Sequence, residues 1–136
     1  MKKEDRELLV RDLCARLPYN TIISVTNDDD NRNTIQYLVE EVIKDLRSTI
    51  SSGNIYKPYL FPLSSMTEEQ REELFTVVLD EQVSISDCSF NDMTGYSEIL
   101  TSYIIDAIDW LNKNHFDFRG LITKGLALDA TGLNIY

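Results

Sequence analysis

The segment at residues 57–75, KPYLFPLSSMTEEQREELF, constrains the fold of this 136-residue chain more than any other. Pro58 and Pro62 lack a backbone N–H, and proline is excluded from helix interiors and from central strands. The first half of the segment therefore predicts an extended connector. In the second half, Thr67 and Gln70 have the Thr-x-x-Gln spacing of a capping box, which predicts that a helix begins at residue 68.

That helix is predicted over residues 68–80. Glu68 and Glu69 lie in its first turn, where the helix dipole favours negative charge. Its buried side is predicted to consist of four apolar residues, Leu74, Phe75, Val78 and Leu79. Helical periodicity also predicts helices over 3–16, with Cys14 on the buried face, and over 97–113, with Ile104 in the apolar stripe. A turn is predicted over 91–96, and a short helix within 117–125 is predicted to end at Gly125.

Strands are predicted where β-branched residues cluster, at residues 21–26 and 82–90. The polar residues 27–33 predict a turn. The segment 34–50 has a sustained helical stripe, and Asn33 with Gln36 could cap it, so a helix over 34–50 is favoured. The alternative is a strand over 34–39 that pairs with 21–26 as a hairpin.

Together these elements predict an α+β fold dominated by four to five helices, with a small sheet of two to four short strands. A chain of this length is expected to form a single domain over residues 1–136. The tail over about 126–136 is expected to be ordered only in part.

The net charge of −10 argues against phosphate neutralisation of nucleic acid and against an anionic membrane surface. The acidity is concentrated in residues 61–100, which contain nine acidic residues and one basic residue, Arg71. Neither a signal peptide nor a membrane span is apparent, so a cytoplasmic location is expected. Two cysteines, Cys14 and Cys88, do not make a disulfide framework.

The acidic turn suggests a metal site. If Asp29 is position one of an EF-hand loop, Asn31, Asn33 and Glu40 occupy positions three, five and twelve. The required glycine at position six is Thr34, however, and the preceding element is predicted to be a strand. The alternative is a turn in which the Asp and Asn side chains bond to nearby backbone.

Other chemistry is weakly indicated. His115 is the single histidine, which excludes a multi-histidine metal centre, and no nucleophile motif accompanies it. It is expected to interact with terminal helix carbonyls instead. Asp106 and Asp109 are expected to lie on a solvated helix face. We therefore predict no catalytic residue and no cofactor.

Aromatic residues are concentrated in the connector and near the C-terminus, and they are expected to pack together. The candidates for contact with a partner protein are two aromatic residues and four glutamates: Tyr59, Phe61, Glu68, Glu69, Glu72 and Glu73.

Two blocks, KPYLFPLSSMTEEQREEL and DWLNKNHFDFRGLITKGLALDATGLNIY, cover about a third of the chain. They resemble segments of small uncharacterised proteins from gut anaerobes and their phages or mobile elements. Phe61 stands where that group often has arginine, and Asn114 where it has histidine. The resemblance implies a phage or mobile-element context and a cytoplasmic location, and it implies no chemistry.

Three functional hypotheses follow. The first is a non-enzymatic cytoplasmic protein of phage or mobile-element type that binds another protein. The second is an acidic nucleic-acid mimic that blocks a nucleic-acid-binding protein with a basic surface. The third is a small metal-dependent enzyme. The oligomeric state does not follow from the sequence.

Overall fold

The structure is a computed structural model that describes residues 1–50, 52–78 and 93–136, with side chains at 1–50, 52–77 and 103–136. In chain order the elements are α1 (Lys3–Arg16), β1 (Ile22–Asn27), β2 (Asn33–Tyr37), α2 (Glu40–Arg47), β3 (Asn54–Pro62), α3 (Glu68–Val78), α4 (Met93–Lys113), β4 (Phe116–Asp117) and β5 (Leu128–Asp129). The chain forms two compact units, which are described separately. The first comprises Met1–Ser65 with His115–Tyr136, and the second comprises Met66–Asn114.

Helix α1 has the predicted bounds. Leu9 and Leu13 are completely buried on one face, and Pro18 falls in the 3₁₀ turn Leu17–Tyr19 that follows the helix. The prediction that Cys14 is buried is wrong, because its thiol is exposed. Two charged residues of α1, Asp12 and Arg16, are completely buried instead.

The favoured helix over 34–50 is wrong in its first part, and the hairpin alternative is confirmed. Strand β2 pairs with β1 in antiparallel register, with Ile35 opposite Ser24. Asn33 does not cap a helix, because its Oδ1 accepts a hydrogen bond from Ser24 Oγ at 2.8 Å. The helical part is α2 alone, where Val42 and Ile43 are buried. Pairing with β1 satisfies the β2 backbone and overrides the local helical pattern.

The extended connector is in fact the central strand, β3. It pairs antiparallel with β1 and parallel with both β4 and β5. Pro58 is accommodated because it lies opposite Ile23, at the last position paired with β1. The pairing with β5 begins at the next residue, Tyr59. Pro58 therefore lies at the boundary between the part of β3 that pairs with β1 and the part that pairs with β4 and β5.

The α+β class is confirmed, but the strand count is not. Among the described residues the sheet has five strands, in the order β2-β1-β3-β4 with β5 also on β3, where two to four were predicted. The difference comes from β3 and from the two-residue strands β4 and β5, which are too short to show a period of two. The described residues form four α-helices, within the predicted range.

The core of the first unit lies between the sheet and helices α1 and α2. It consists of Leu9, Val10, Leu13, Ile23, Leu38, Val42, Ile43, Tyr56, Leu60, Leu121, Leu126 and Ala127. Leu121 and Leu126 bring the C-terminal segment into this core. A turn, not the predicted helix, precedes Gly125: the Asp117 carboxylate accepts hydrogen bonds from the N–H groups of Leu121 and Ile122, both at 2.9 Å.

In the second unit, α3 packs against α4. The predicted capping box is confirmed: Gln70 N–H donates to Thr67 Oγ1 at 3.1 Å, and Thr67 N–H donates to Gln70 Oε1 at 3.0 Å. Two predicted buried residues, Phe75 and Ile104, are each 58% exposed. Helix α4 begins at Met93, so the turn predicted over 91–96 is wrong from that residue onward.

The strand predicted at 82–90 and the last two residues of the helix predicted at 68–80 lie outside the described residues. Within the three described ranges, no helix has both the length and the apolar character needed to cross a bilayer.

Candidate functional site

The acidic turn between β1 and β2 is closed by hydrogen bonds, among them one from Asn31 N–H to the Asn27 carbonyl oxygen at 3.0 Å. Asp29 N–H donates to Asn27 Oδ1 at 2.8 Å, and Arg32 N–H donates to Asp30 Oδ1 at 3.1 Å. Asn31 has a left-handed backbone with φ of 53°, a conformation that asparagine tolerates. These contacts match the alternative interpretation, in which side chains support the turn itself.

The weak metal candidates are distributed along the hairpin. Asp29 and Asn31 lie in the turn, Asn33 begins β2, and Glu40 begins α2 after the full length of that strand. A five-residue strand spans roughly 13 Å between its end residues, so Glu40 is remote from the turn. Glu40 instead pairs with Lys44 at 3.5 Å. The part of the chain that the structure describes contains no group of three or more metal-ligating side chains.

His115 lies between β1 and the C-terminus. Its ring stacks on Tyr136 with centroids 3.7 Å apart, and its Nδ1 lies 3.4 Å from Thr21 Oγ1. Burial, together with the nearby Arg16 guanidinium, lowers the pKa of His115 to about 4. The imidazole is therefore neutral at physiological pH.

Tyr136 holds the C-terminus against two strands. Its hydroxyl donates to the carbonyl oxygen of Tyr59 at 2.7 Å and accepts from Ile22 N–H at 2.9 Å. Burial raises the pKa of Tyr136 to about 12, so the hydroxyl keeps the proton that it donates. These contacts lie within the tail that was expected to be ordered only in part.

A buried ion-pair network was not predicted from the sequence. Asp12 and Arg16 are completely buried, and Arg16 Nε donates to Asp12 Oδ2 at 2.7 Å. Arg16 Nη2 also donates to the carbonyl oxygen of Phe116 at 2.6 Å. Arg119 Nε lies 3.4 Å from Asp12 Oδ1. Breaking one partner of such a network is costly, because it leaves an uncompensated buried charge.

The only sequence signal for this network is the i, i+4 spacing of Asp12 and Arg16, which also occurs in exposed pairs such as Lys3 and Glu7. The network connects α1 to β4, because Arg16 is the last residue of α1 and donates to the carbonyl oxygen of Phe116 in β4. We therefore assign it a structural role.

The two aromatic interaction candidates pack inside the first unit. Only 9% of Tyr59 is exposed, and Phe61 is half-buried. Phe61 lies 6.1 Å from Phe116 and 5.8 Å from Tyr136, measured between ring centroids. The predicted packing of the connector's aromatic residues against those near the C-terminus is confirmed for Phe61. A role for Tyr59 or Phe61 in binding a partner stays a prediction.

The four glutamate candidates, Glu68, Glu69, Glu72 and Glu73, are exposed in the first two turns of α3. Phe75 follows one turn after Glu72 and is exposed as well. On α4, Asp106 and Asp109 are exposed as predicted. The outer surface of α3 thus combines negative charge with one aromatic side chain.

Strand β2 is the most exposed of the described strands, and two of its exposed side chains are apolar. All five of its residues are exposed, including Ile35 at 59% and Tyr37 at 62%. Ile35 and Tyr37 are two positions apart and therefore lie on the same face of the strand. Val39, two positions further and just beyond the end of β2, is 42% exposed. Among the described strands, β2 pairs with β1 alone and forms one edge of the sheet.

This surface was not predicted from the sequence, because the helical stripe over 34–50 favoured a helix for the same residues. The signal for the strand was the alternation of the apolar residues Ile35, Tyr37 and Val39. The strand itself carries no charge. Most of the charged residues beside it are acidic: Asp28, Asp29 and Asp30 precede it in the turn, where Arg32 pairs with Asp30 at 3.2 Å, and Glu40 and Glu41 follow it at the start of α2.

The described residues define an α+β protein with a mixed sheet, in which the edge strand β2 exposes two apolar side chains, Ile35 and Tyr37. In comparisons with family models, curated proteins and solved structures, nothing matches the chain.

Proposed function

We propose that this chain is a non-enzymatic binding protein of phage or mobile-element type, acting in the cytoplasm, and that it recognises another protein through strand β2. The observation that carries the proposal is the full exposure of β2 with its apolar residues Ile35 and Tyr37. The resemblance of the two sequence blocks supports the phage or mobile-element context.

The recognition mode follows from the position of β2. A strand at a sheet edge presents backbone N–H and C=O groups that can pair with an extended segment of another chain. Natural edge strands are commonly protected against such pairing by lysine, proline or a bulge. Strand β2, with the sequence NTIQY, carries neither lysine nor proline, and its pairing with β1 is regular over all five residues.

The acidic residues beside β2 indicate the charge expected of the partner's segment. Asp28, Asp29 and Asp30 lie before one end of the strand, and Glu40 and Glu41 lie after the other. A segment that pairs along β2 would place its own ends beside these carboxylates. Basic residues flanking an apolar core would complement them, whereas a second copy of β2 would bring like charges together.

The test is a comparison of two exposed isoleucines. A partner is first identified by affinity capture from the host and then purified, and its Kd is measured for the wild type, Ile35→Glu and Ile104→Glu. Ile104 is the matched control, because it is equally exposed but lies on α4. We expect Ile35→Glu to weaken binding at least tenfold and Ile104→Glu to leave it unchanged. Equal Kd values for the two variants would contradict the proposal.

A second candidate function is favoured by the exposed glutamates of α3. Four carboxylates in two helical turns could mimic a phosphate backbone and occupy a basic nucleic-acid-binding surface. The same purified partner distinguishes the two functions. For such a mimic, Glu72→Lys/Glu73→Lys would abolish binding, and Kd would rise steeply with salt. For recognition through β2, the charge variant would bind normally.

A further inference from the structure

A groove of about 580 Å³ lies between α1 and α2 on the first unit. Its volume falls within the range of small-molecule sites. The groove is formed by helix residues one and two turns apart on α1, such as Lys3, Arg6 and Val10, and by Leu46 and Arg47 from the end of α2. It is separate from the β2 surface and does not depend on the proposed function.

The rim of the groove is basic in a protein whose net charge is −10. Four cationic side chains line it, namely Lys3, Arg6, Arg11 and Arg47, against one acid, Glu7. Glu7 lies 3.9 Å from Lys3. None of the three arginines forms an ion pair with another residue in the described ranges. Unpaired like charges around one concave surface raise its affinity for an anion.

The floor of the groove is apolar. Val10 is 9% exposed and belongs to the core cluster, and Leu46 is packed against the same cluster. A simple inorganic anion would contact the arginines but leave this floor in water. A ligand with an anionic head and an apolar body would satisfy both parts of the site.

We propose that this groove binds a small amphiphilic anion, with a carboxylate or phosphate head at the arginines and a short aliphatic body on Val10 and Leu46. Arginine suits such a head group, because its planar guanidinium donates two parallel hydrogen bonds to carboxylate or phosphate oxygens. The volume of the groove accommodates a chain of about ten carbons.

Cys14 provides a reporter inside the site. Its thiol is exposed and lines the groove, and Arg47 Nη2 lies 3.7 Å from its Sγ. A ligand that occupies the groove will cover this thiol and slow its alkylation by iodoacetamide, a neutral reagent. A Cys88→Ser background ensures that the alkylation signal comes from Cys14 alone.

The experiment measures decanoate binding by isothermal titration calorimetry, and Cys14 alkylation with and without decanoate. We expect one site per chain and slower alkylation of Cys14 when decanoate is bound. In Arg47→Gln we expect a roughly tenfold higher Kd for decanoate. The matched control is Arg32→Gln, which removes the same charge from the β1–β2 turn outside the groove and should bind as the wild type does.

Four results would overturn the proposal. These are equal decanoate affinity in Arg47→Gln and Arg32→Gln, unprotected Cys14 at saturating decanoate, equal binding of decyltrimethylammonium, and equal binding of inorganic phosphate. The third would show that charge does not select the ligand, and the fourth that the apolar floor contributes nothing.

Discussion

At the scale of the residue, buried polar side chains connect distant parts of the first unit. Arg16 is completely buried, and its Nε and Nη2 donate hydrogen bonds to Asp12 and to the Phe116 carbonyl oxygen. His115 lies beside this network in a left-handed backbone conformation with φ of 63°. Periodicity in the sequence could not reveal either role, because Arg16 contacts Phe116 and His115 contacts Thr21, which are 100 and 94 positions away along the chain.

The stacked imidazole of His115 makes the free energy of unfolding depend on pH, and a substitution at this position can separate its contribution from those of other groups. Because its pKa is lowered from 6.5 to about 4, the unfolded state binds the proton more readily than the folded state. The stabilising contribution is complete above pH 6.5, is lost as the pH falls, and is absent below about pH 4, with a loss of up to about 3 kcal/mol.

His115→Asn is the informative variant, because asparagine tolerates a positive φ. Urea denaturation between pH 4 and 8 should show a shallower pH dependence of the unfolding free energy below pH 6.5 in this variant. Carboxylates titrate in the same range in both proteins, so the difference between them reports His115. The same slope in both proteins would exclude the buried, neutral imidazole.

At the scale of the element, local signals were reliable where the hydrogen bonds lie within the element and failed where pairing with another strand competed. The bounds of α1 and the start of α3 followed from periodicity and from the Thr67 capping box. Residues 34–39 carry a helical stripe, yet their backbone pairs with β1. Likewise, the prolines of β3 argued against a central strand, but β3 is central because β1, β4 and β5 all pair with it, and the sequence shows neither β4 nor β5.

The capping box at the start of α3 is expected to stabilise that helix measurably. Thr67→Ala removes the acceptor for Gln70 N–H and should cost about 1 kcal/mol. Hydrogen exchange should then be roughly fivefold faster at the amides of α3. Thr76→Ala is the matched control: its hydroxyl only donates back to the Glu72 carbonyl oxygen, so its loss should not speed exchange. If exchange were equally faster in both variants, the capping contribution of Thr67 would be contradicted.

At the scale of the whole molecule, charge is the dominant property. The chain carries a net charge of −10, and four exposed glutamates occupy the first two turns of α3. Such self-repulsion destabilises a compact state, whereas the exposed ion pairs, such as that of Lys44 with Glu40, contribute little. Added salt screens both effects, and the repulsion is the larger of the two.

We therefore expect the Tm to rise by several degrees between about 20 and 500 mM NaCl, where the screening length falls from roughly 20 Å to 4 Å. A variant with Glu72→Gln and Glu73→Gln, which keeps the two glutamates of the first turn, should have a higher Tm at low salt and a smaller rise. Differential scanning calorimetry of both proteins separates screening from general salt effects, since the general effects are common to the two. A Tm that falls with salt in the wild type would mean that attractive ion pairs outweigh the excess of acid.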